Sequence, residues 1–116
     1  MDYFPLFLDA RSLHCLVVGA GEVAARKLEL IMKTPAHITV VAPWVCDTVK
    51  RLSESEKVTL IVREFEDHDL AGKEMVFIAT DKPEVNQYIH DLAREQKVLV
   101  NVVDNTPLCQ FITPSI

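Results

Sequence analysis

The chain has 116 residues, of which 49% are hydrophobic and 25% charged, and its formal net charge is −5. This size and composition predict one soluble domain, and the acidic balance without a basic cluster argues against nucleic-acid binding. No apolar stretch reaches the roughly 18 residues that cross a bilayer, and no signal peptide is visible. We therefore expect a cytoplasmic protein with neither nucleic acid nor membrane as a partner.

The first third of the chain predicts a strand, a helix and a second strand. An extended segment over residues 3–8 leads into residues 14–19, a short strand that is apolar on both faces. Apolar residues at helical spacing predict a helix over residues 22–33, which Pro35 ends. Residues 37–43 form a second buried strand.

The middle of the chain is more polar. Residues 47–57 predict a short polar helix with Asp47 as its capping residue, and residues 58–65 predict a third strand. The acidic residues 66–73 form a connector with room for a single helical turn.

The last third repeats the alternation of strand and helix. Residues 74–81 predict a fourth strand, and the next helix opens with Asp81 as its cap and Pro83 in its first turn. Residues 97–104 predict a fifth strand, and residues 107–116 begin a further element.

This alternation predicts the fold class. Fully apolar strands separated by helices are typical of a parallel sheet covered on both faces, joined by right-handed crossovers. We predict an α/β fold: a Rossmann-like, doubly wound, mainly parallel sheet of five or six strands with helices on both faces. Residues 1–116 are expected to form one domain.

A glycine-rich turn joins the first strand to the first helix. Residues 19–24 (GAGEVA) match the pattern G-x-G-x-x-[G/A]. Gly19 allows a sharp turn, Gly21 leaves room for a pyrophosphate near the backbone, and Ala20 lies between them. Because the turn opens a helix, whose N-terminus favours an anion, we predict dinucleotide binding here.

One part of the usual dinucleotide site is missing. A carboxylate at the end of the second strand normally holds the adenosine ribose. Pro43 and Trp44 occupy that place, and the next carboxylate, Asp47, is assigned to the helix cap. No arginine is placed to receive a 2′-phosphate, so backbone groups around Pro43 and Trp44 are expected to hold the ribose. These residues leave NAD and NADP open.

Polar residues also follow the fourth and fifth strands. Ala79, Thr80 and Asp81 end the fourth, and Asn101 and Asp104 belong to the end of the fifth. Ligands of such sheets bind at the carboxyl ends of the strands. The residues leave two interpretations of Asp104 open: a cap for a turn, or an acid–base group facing the nicotinamide.

The remaining reactive side chains predict no metal site. Three widely spaced cysteines fit free thiols, and they are Cys15, Cys46 and Cys109. Four histidines without metal-ligand spacing fit surface positions, and they are His14, His37, His68 and His90. Three phenylalanines fit core or edge packing, and they are Phe4, Phe7 and Phe111.

Four segments resemble the N-terminal NAD-binding part of the sirohaem synthase family, which includes precorrin-2 dehydrogenases. The segments are residues 3–31, 38–43, 77–95 and 101–116. They follow one another in the family's order and, with the residues between them, span essentially the whole chain. This similarity is far more specific than the glycine pattern.

The resemblance implies NAD-dependent oxidation of precorrin-2 to sirohydrochlorin, and in many members the same unit inserts Fe2+ as a further substrate. It implies that Glu22, Val23, Pro43 and Trp44 contact NAD. Asp104 matches the aspartate that serves both dehydrogenation and chelation, which favours its catalytic interpretation.

The resemblance also implies further segments beyond residue 116, which dimerise the protein and complete the substrate cleft. We therefore expect a homodimer at full length, and a 116-residue chain that binds NAD better than it catalyses. Precorrin-2 carries many carboxylates, for which Arg26 and Lys27 are the nearest cations to the turn. Two alternatives remain: a non-catalytic NAD(H)-sensing module and a tetrapyrrole-binding module.

Overall fold

The structure is a computed structural model that describes residues 1–114. Ser115 and Ile116, the end of the last segment that resembles sirohaem synthases, lie outside the described residues.

Five short strands form one sheet in which every pairing is parallel. The strands are β1 (His14–Val18), β2 (His37–Ala42), β3 (Val58–Val62), β4 (Met75–Ile78) and β5 (Leu99–Val102). Their order is β3-β2-β1-β4-β5, so the chain winds outwards from β1 in one direction and then in the other. The predicted doubly wound, Rossmann-like α/β fold is confirmed, and its sheet has five strands.

Helices cover both faces of the sheet, as predicted. The helices are α1 (Glu22–Ile31), α2 (Asp47–Leu52) and α3 (Pro83–Glu95), with single 3₁₀ turns over Asp67–Leu70 and Thr106–Leu108. Leu28 of α1 and Val49 of α2 are buried in the core on one face. Ile89 of α3 and Leu70 of the first 3₁₀ turn are buried on the other. Within residues 1–114, no helix is long and apolar enough to cross a bilayer.

The helix ends differ from the sequence prediction. The first helix ends at Ile31 and the second at Leu52, whereas the sequence predicted that they end at residues 33 and 57. Asp47 lies inside the first turn of α2 and does not cap it. Lys82, and not Asp81, is the N-cap of α3, because Pro83 takes the first helical position and the cap must directly precede it.

The C-terminal segment covers the outer edge of β5. The Gln110 N–H donates to the Val100 carbonyl (2.8 Å), and the Val100 N–H donates to Gln110 Oε1 (3.1 Å). Phe111 packs edge-on against Phe77 with ring centroids 5.4 Å apart. By contrast, Phe4 and Phe7 are exposed, so the prediction that they pack in the core or at an edge is wrong. Along the sequence, Ala10 is the first residue that packs against the core.

Candidate functional site

Gly19 is fixed by the close approach of two strand ends. Its φ of +112° lies where side chains are strongly disfavoured. A Cβ at this position would lie 2.3 Å from the carbonyl oxygen of Ala79, at the exit of β4. The first glycine of the motif therefore permits both the turn and the packing of β1 beside β4.

Gly21 serves a different purpose. It is the N-cap of α1, and a Cβ built on it would meet no atom within 4 Å. The first four N–H groups of a helix lack partners within the helix, and glycine has no side chain to bind them. Backbone donors and open space therefore coincide at this helix end. The residues present fit the pyrophosphate of a dinucleotide.

A cavity of about 620 Å³ opens at the carboxyl edge of the sheet, beside this turn. The edge includes the ends of β1 and β4, where the order of the strands reverses, which is the usual ligand position in doubly wound sheets. Eight of the predicted cofactor residues line it: Gly19, Ala20, Gly21, Pro43, Trp44, Ala79, Thr80 and Asp81. The fold thus brings together residues that are up to 62 positions apart.

The loop after β2 is anchored to the glycine turn. The N–H of Cys46 donates to the carbonyl of Ala20 over 2.9 Å. Trp44 projects from this loop with 68% of its surface exposed, as an apolar wall of the cavity. An exposed aromatic wall at this position suits an adenosine.

Thr80 has a structural task in addition to its place in the cavity. Its hydroxyl contacts Asn86 Oδ1, and Asn86 Nδ2 donates to the Thr80 carbonyl (3.2 Å). The Lys82 N–H donates to the same hydroxyl over 3.3 Å. Thr80 therefore holds the start of α3, whereas Asp81 remains exposed at the cavity.

Nine residues that line this cavity were not predicted to bind the cofactor, and Glu64, Phe65 and Tyr88 are among them. The Tyr88 hydroxyl donates to Asp67 Oδ1 (2.8 Å), and this hydrogen bond raises the pKa of Tyr88. No local pattern marks these residues. They reach the cavity because β3 lies beside β2 and because α3 packs against the turn over Asp67–Leu70.

A second cavity, of about 300 Å³, lies between α1 and the exit of β5. Asp104 lines it in an exposed, left-handed conformation, with φ of +61°. Arg26 and Lys27 of α1 line it as well, and Lys27 Nζ donates to Thr113 Oγ1 (3.0 Å). A carboxylate and two cations therefore share one small polar cavity.

The predicted residues thus divide between two cavities. Val23, Asn101 and Asp104 line the smaller one, and Glu22 lines neither. Asn101 is buried, and its Nδ2 donates to the Phe111 carbonyl (2.9 Å). Its amide therefore ties the C-terminal segment to β5, a task that the sequence did not indicate.

No metal centre is found in the described part of the chain. Among residues 1–114, no three His, Cys, Asp or Glu side chains are grouped closely enough to hold a metal ion. The three cysteines are free thiols. Burial raises the pKa of Cys15 to about 12, with a smaller contribution from Glu74, so this thiol stays protonated at neutral pH.

The parallel sheet, its glycine turn and the cavity at the switch in strand order define a dinucleotide-binding domain of the Rossmann type. Residues 6–115 match the family model described as putative NAD(P)-binding. The chain belongs to this family.

Comparison with curated proteins confirms the resemblance to sirohaem synthases. The chain is 64% identical over 116 residues to "Siroheme synthase" of Pseudoalteromonas atlantica, and 42% identical over 115 residues to "Siroheme synthase" of Thioalkalivibrio sulfidiphilus. These alignments cover 100% and 99% of the chain. The chain spans about a quarter of the length of these relatives, 25% and 24% respectively.

A solved structure has the same fold. The structure titled "SirC, precorrin-2 dehydrogenase" superposes with a TM-score of 0.77 at 24% sequence identity. The match covers 98% of this chain and 53% of that chain.

Proposed function

We propose that the chain is the NAD-binding Rossmann domain of an enzyme that oxidises precorrin-2 to sirohydrochlorin in sirohaem biosynthesis. The observation that carries this proposal is that the glycine turn and Asp104 lie at the same carboxyl edge of the sheet. Gly21 lines one cavity and Val23 the next, so the start of α1 separates a dinucleotide cavity from one that holds a carboxylate. Similarity to sirohaem synthases supports the choice of substrate.

The residue roles follow from this arrangement. The glycine turn and the N-terminus of α1 bind the pyrophosphate, and the loop with Pro43 and Trp44 holds the adenosine. NAD+, when bound, accepts a hydride from a carbon of the macrocycle. The same oxidation releases a proton, and Asp104 accepts it.

The smaller cavity suits part of a polycarboxylate substrate. Its cations, Arg26 and Lys27, attract carboxylates locally, although the whole chain carries a net charge of −5. Arg26 forms no hydrogen bond or ion pair with the described residues, so its guanidinium is free for a substrate carboxylate.

Three finer parts of the proposal concern the intact protein. We expect it to insert Fe2+ into sirohydrochlorin, with Asp104 accepting protons as pyrrole nitrogens deprotonate. We expect it to form a homodimer at full length and to act in the cytoplasm. Similarity to sirohaem synthases supports these expectations.

Replacing Asp104 tests its proposed role as a base. Asparagine is the appropriate substitute, because it tolerates the left-handed conformation at φ +61°, whereas alanine would add backbone strain. In the intact protein, we expect Asp104→Asn to lower the rate of NADH formation from precorrin-2 and NAD+ by about 100-fold or more. The affinity for NADH is expected to change less than about twofold, because Asp104 lies outside the larger cavity.

Turnover is measured by NADH absorbance together with the absorbance of sirohydrochlorin. Asp91→Asn is the matched control, since Asp91 is an exposed carboxylate of α3 that lines neither cavity. Saturable NADH binding by the intact protein without oxidation of precorrin-2 would favour the NAD(H)-sensing module. Binding of sirohydrochlorin without turnover would favour the tetrapyrrole-binding module.

A further inference from the structure

The loop after β2 lacks the carboxylate that commonly discriminates between NAD and NADP. Asp47, the first acidic residue after this strand, lies in the first turn of α2 and does not line the dinucleotide cavity. Lys50 and Arg51, the first basic residues after β2 in the sequence, also lie outside this cavity. The loop after β2 therefore explains neither acceptance nor rejection of a 2′-phosphate.

The neighbouring strand brings a carboxylate to the same place. In the register of β2 and β3, Ala42 lies opposite Val62. Trp44 and Glu64 each follow two residues later, and strands of a sheet are about 4.8 Å apart. Both residues line the cavity, so Glu64 leaves the sheet beside the loop that is proposed to hold the adenosine.

The Glu64 carboxylate is not neutralised by its neighbours. It forms no hydrogen bond or ion pair with the described residues. The adjacent Arg63 is turned to Asp69, with two hydrogen bonds of 2.8 and 2.9 Å, and it donates only to the backbone carbonyl of Glu64. The nearest guanidinium in the sequence is thus unavailable to receive a phosphate.

The other charged residues that line the cavity leave its lining negatively charged overall. They are Asp81, Lys82 and Glu84, all at the start of α3. With Glu64, the cavity is lined by three carboxylates and one ammonium group. Lys82 lies on the β4 side, across the cavity from the β2 and β3 exits.

We propose that Glu64 makes this site select NAD over NADP, because its unpaired carboxylate repels the 2′-phosphate of NADP. The inference rests on the proposed dinucleotide binding. The 2′-phosphate adds nearly two negative charges, whereas the ribose hydroxyl of NAD adds none. Repulsion at this partly exposed edge therefore weakens NADPH binding without a comparable effect on NADH, and salt reduces the difference.

Titration of the 116-residue chain with NADH and NADPH tests the inference through Trp44, its only tryptophan. We expect the unchanged chain to bind NADH about tenfold or more tightly than NADPH. Glu64→Gln is expected to raise the affinity for NADPH by about three- to tenfold and to change that for NADH less than about twofold. Raising the salt concentration to about 0.5 M is expected to shrink the preference of the unchanged chain.

Two matched variants complete the experiment. Glu56→Gln removes one charge at the opposite end of β3, outside the cavity, and is expected to leave the preference unchanged. Glu84→Gln removes a charge from the α3 side of the cavity and is expected to have a smaller effect than Glu64→Gln.

Each remaining outcome contradicts a distinct statement. An unchanged preference in Glu64→Gln, or an equal change in Glu56→Gln or Glu84→Gln, would overturn the assignment to Glu64 and leave dinucleotide binding intact. A loss of NADH affinity alone would mean that Glu64 binds the ribose and does not repel phosphate. Failure of both nucleotides to bind would overturn the proposed function, and the inference with it.

Discussion

At the scale of single residues, the two glycines of the motif have separable tasks. Gly19 adopts a φ of +112° and contacts the exit of β4, whereas Gly21 adopts an ordinary φ of −89° and faces open space. The sequence pattern already predicts a turn at Gly19 and room for a pyrophosphate at Gly21. The φ of Gly19 and the close approach of the Ala79 carbonyl add that Gly19 is needed for folding, whereas Gly21 is the residue proposed to bind the pyrophosphate.

Gly19→Ala is expected to destabilise the fold by about 2–4 kcal/mol. The new Cβ would overlap the Ala79 carbonyl and force an unfavourable φ. Urea denaturation followed by circular dichroism measures the change in the free energy of unfolding. A loss below about 1 kcal/mol would show that the β4 exit can move away at little cost.

Gly21→Ala is expected to separate binding from stability. The free energy of unfolding should change by less than about 1 kcal/mol, because the new Cβ meets no atom. The affinity for NADH should fall by about tenfold or more, because the methyl group takes the space of the pyrophosphate. Unchanged affinity would place the pyrophosphate elsewhere.

At the scale of elements, the 3₁₀ turn over Asp67–Leu70 depends on a buried carboxylate. The Asp69 side chain is 4% exposed; it accepts two hydrogen bonds from Arg63 and one from the Glu66 N–H (2.8 Å). The pKa of Asp69 is lowered mainly by the hydrogen bonds from Arg63. This turn holds Asp67 where its carboxylate accepts a hydrogen bond from the Tyr88 hydroxyl. It thereby supports one wall of the cavity.

Asp69→Asn is expected to destabilise the fold at neutral pH by about 2 kcal/mol, because Arg63 loses its charged partner. A lowered pKa in the folded state stabilises the protein above the unfolded pKa of about 3.9. That stability is lost as the pH falls through the folded pKa. When the pH is lowered from 7 to well below the unfolded pKa, the free energy of unfolding, measured by denaturation, should therefore fall less in Asp69→Asn than in the unchanged chain.

The control is Asp9→Asn, which breaks an ion pair with Arg11 whose side chains are 58% and 82% exposed. Exposed pairs contribute little, so the loss of stability should be clearly smaller than in Asp69→Asn. Equal losses in the two variants would contradict a special role for the buried pair.

At the scale of the whole molecule, the two ends of the chain behave differently. Residues 110–111 hydrogen-bond to β5 and pack on the core, whereas Phe4 and Phe7 are 82% and 104% exposed. Composition cannot distinguish these phenylalanines. Phe111 is held because the Asn101 amide and the Gln110 side chain fix its backbone against β5.

Phe111→Ala is therefore expected to cost about 2 kcal/mol of unfolding free energy, through the lost contact with Phe77. Phe7→Ala is expected to change it by less than about 0.5 kcal/mol. Thermal and urea denaturation of the two variants measure the contrast. A comparable loss in Phe7→Ala would show that the N-terminal segment packs on the chain after all.

The features of this protein that depend on local pattern could be predicted from its amino-acid sequence. Apolar strands, helical periodicity and the turn at Gly19 and Gly21 predict a doubly wound sheet, because each is encoded within a few consecutive residues. The cap assigned to Asp81 failed at this same local level, since Pro83 fixes the first helical position and so the cap. The carboxyl ends of the strands could be located in the same way, and with them eight of the residues that line the larger cavity.

Which distant side chains meet could not be predicted from local patterns and became visible in the folded structure. The pairing of β2 with β3 brings Glu64 to the cavity that Trp44 also lines, and the return of the C-terminal segment places the Phe111 carbonyl where the Asn101 amide donates to it. The start of α1 separates the cavity of Asp104 from that of the glycine turn. Strand order and the path of a covering segment depend on contacts between residues far apart in the chain, which no local pattern records.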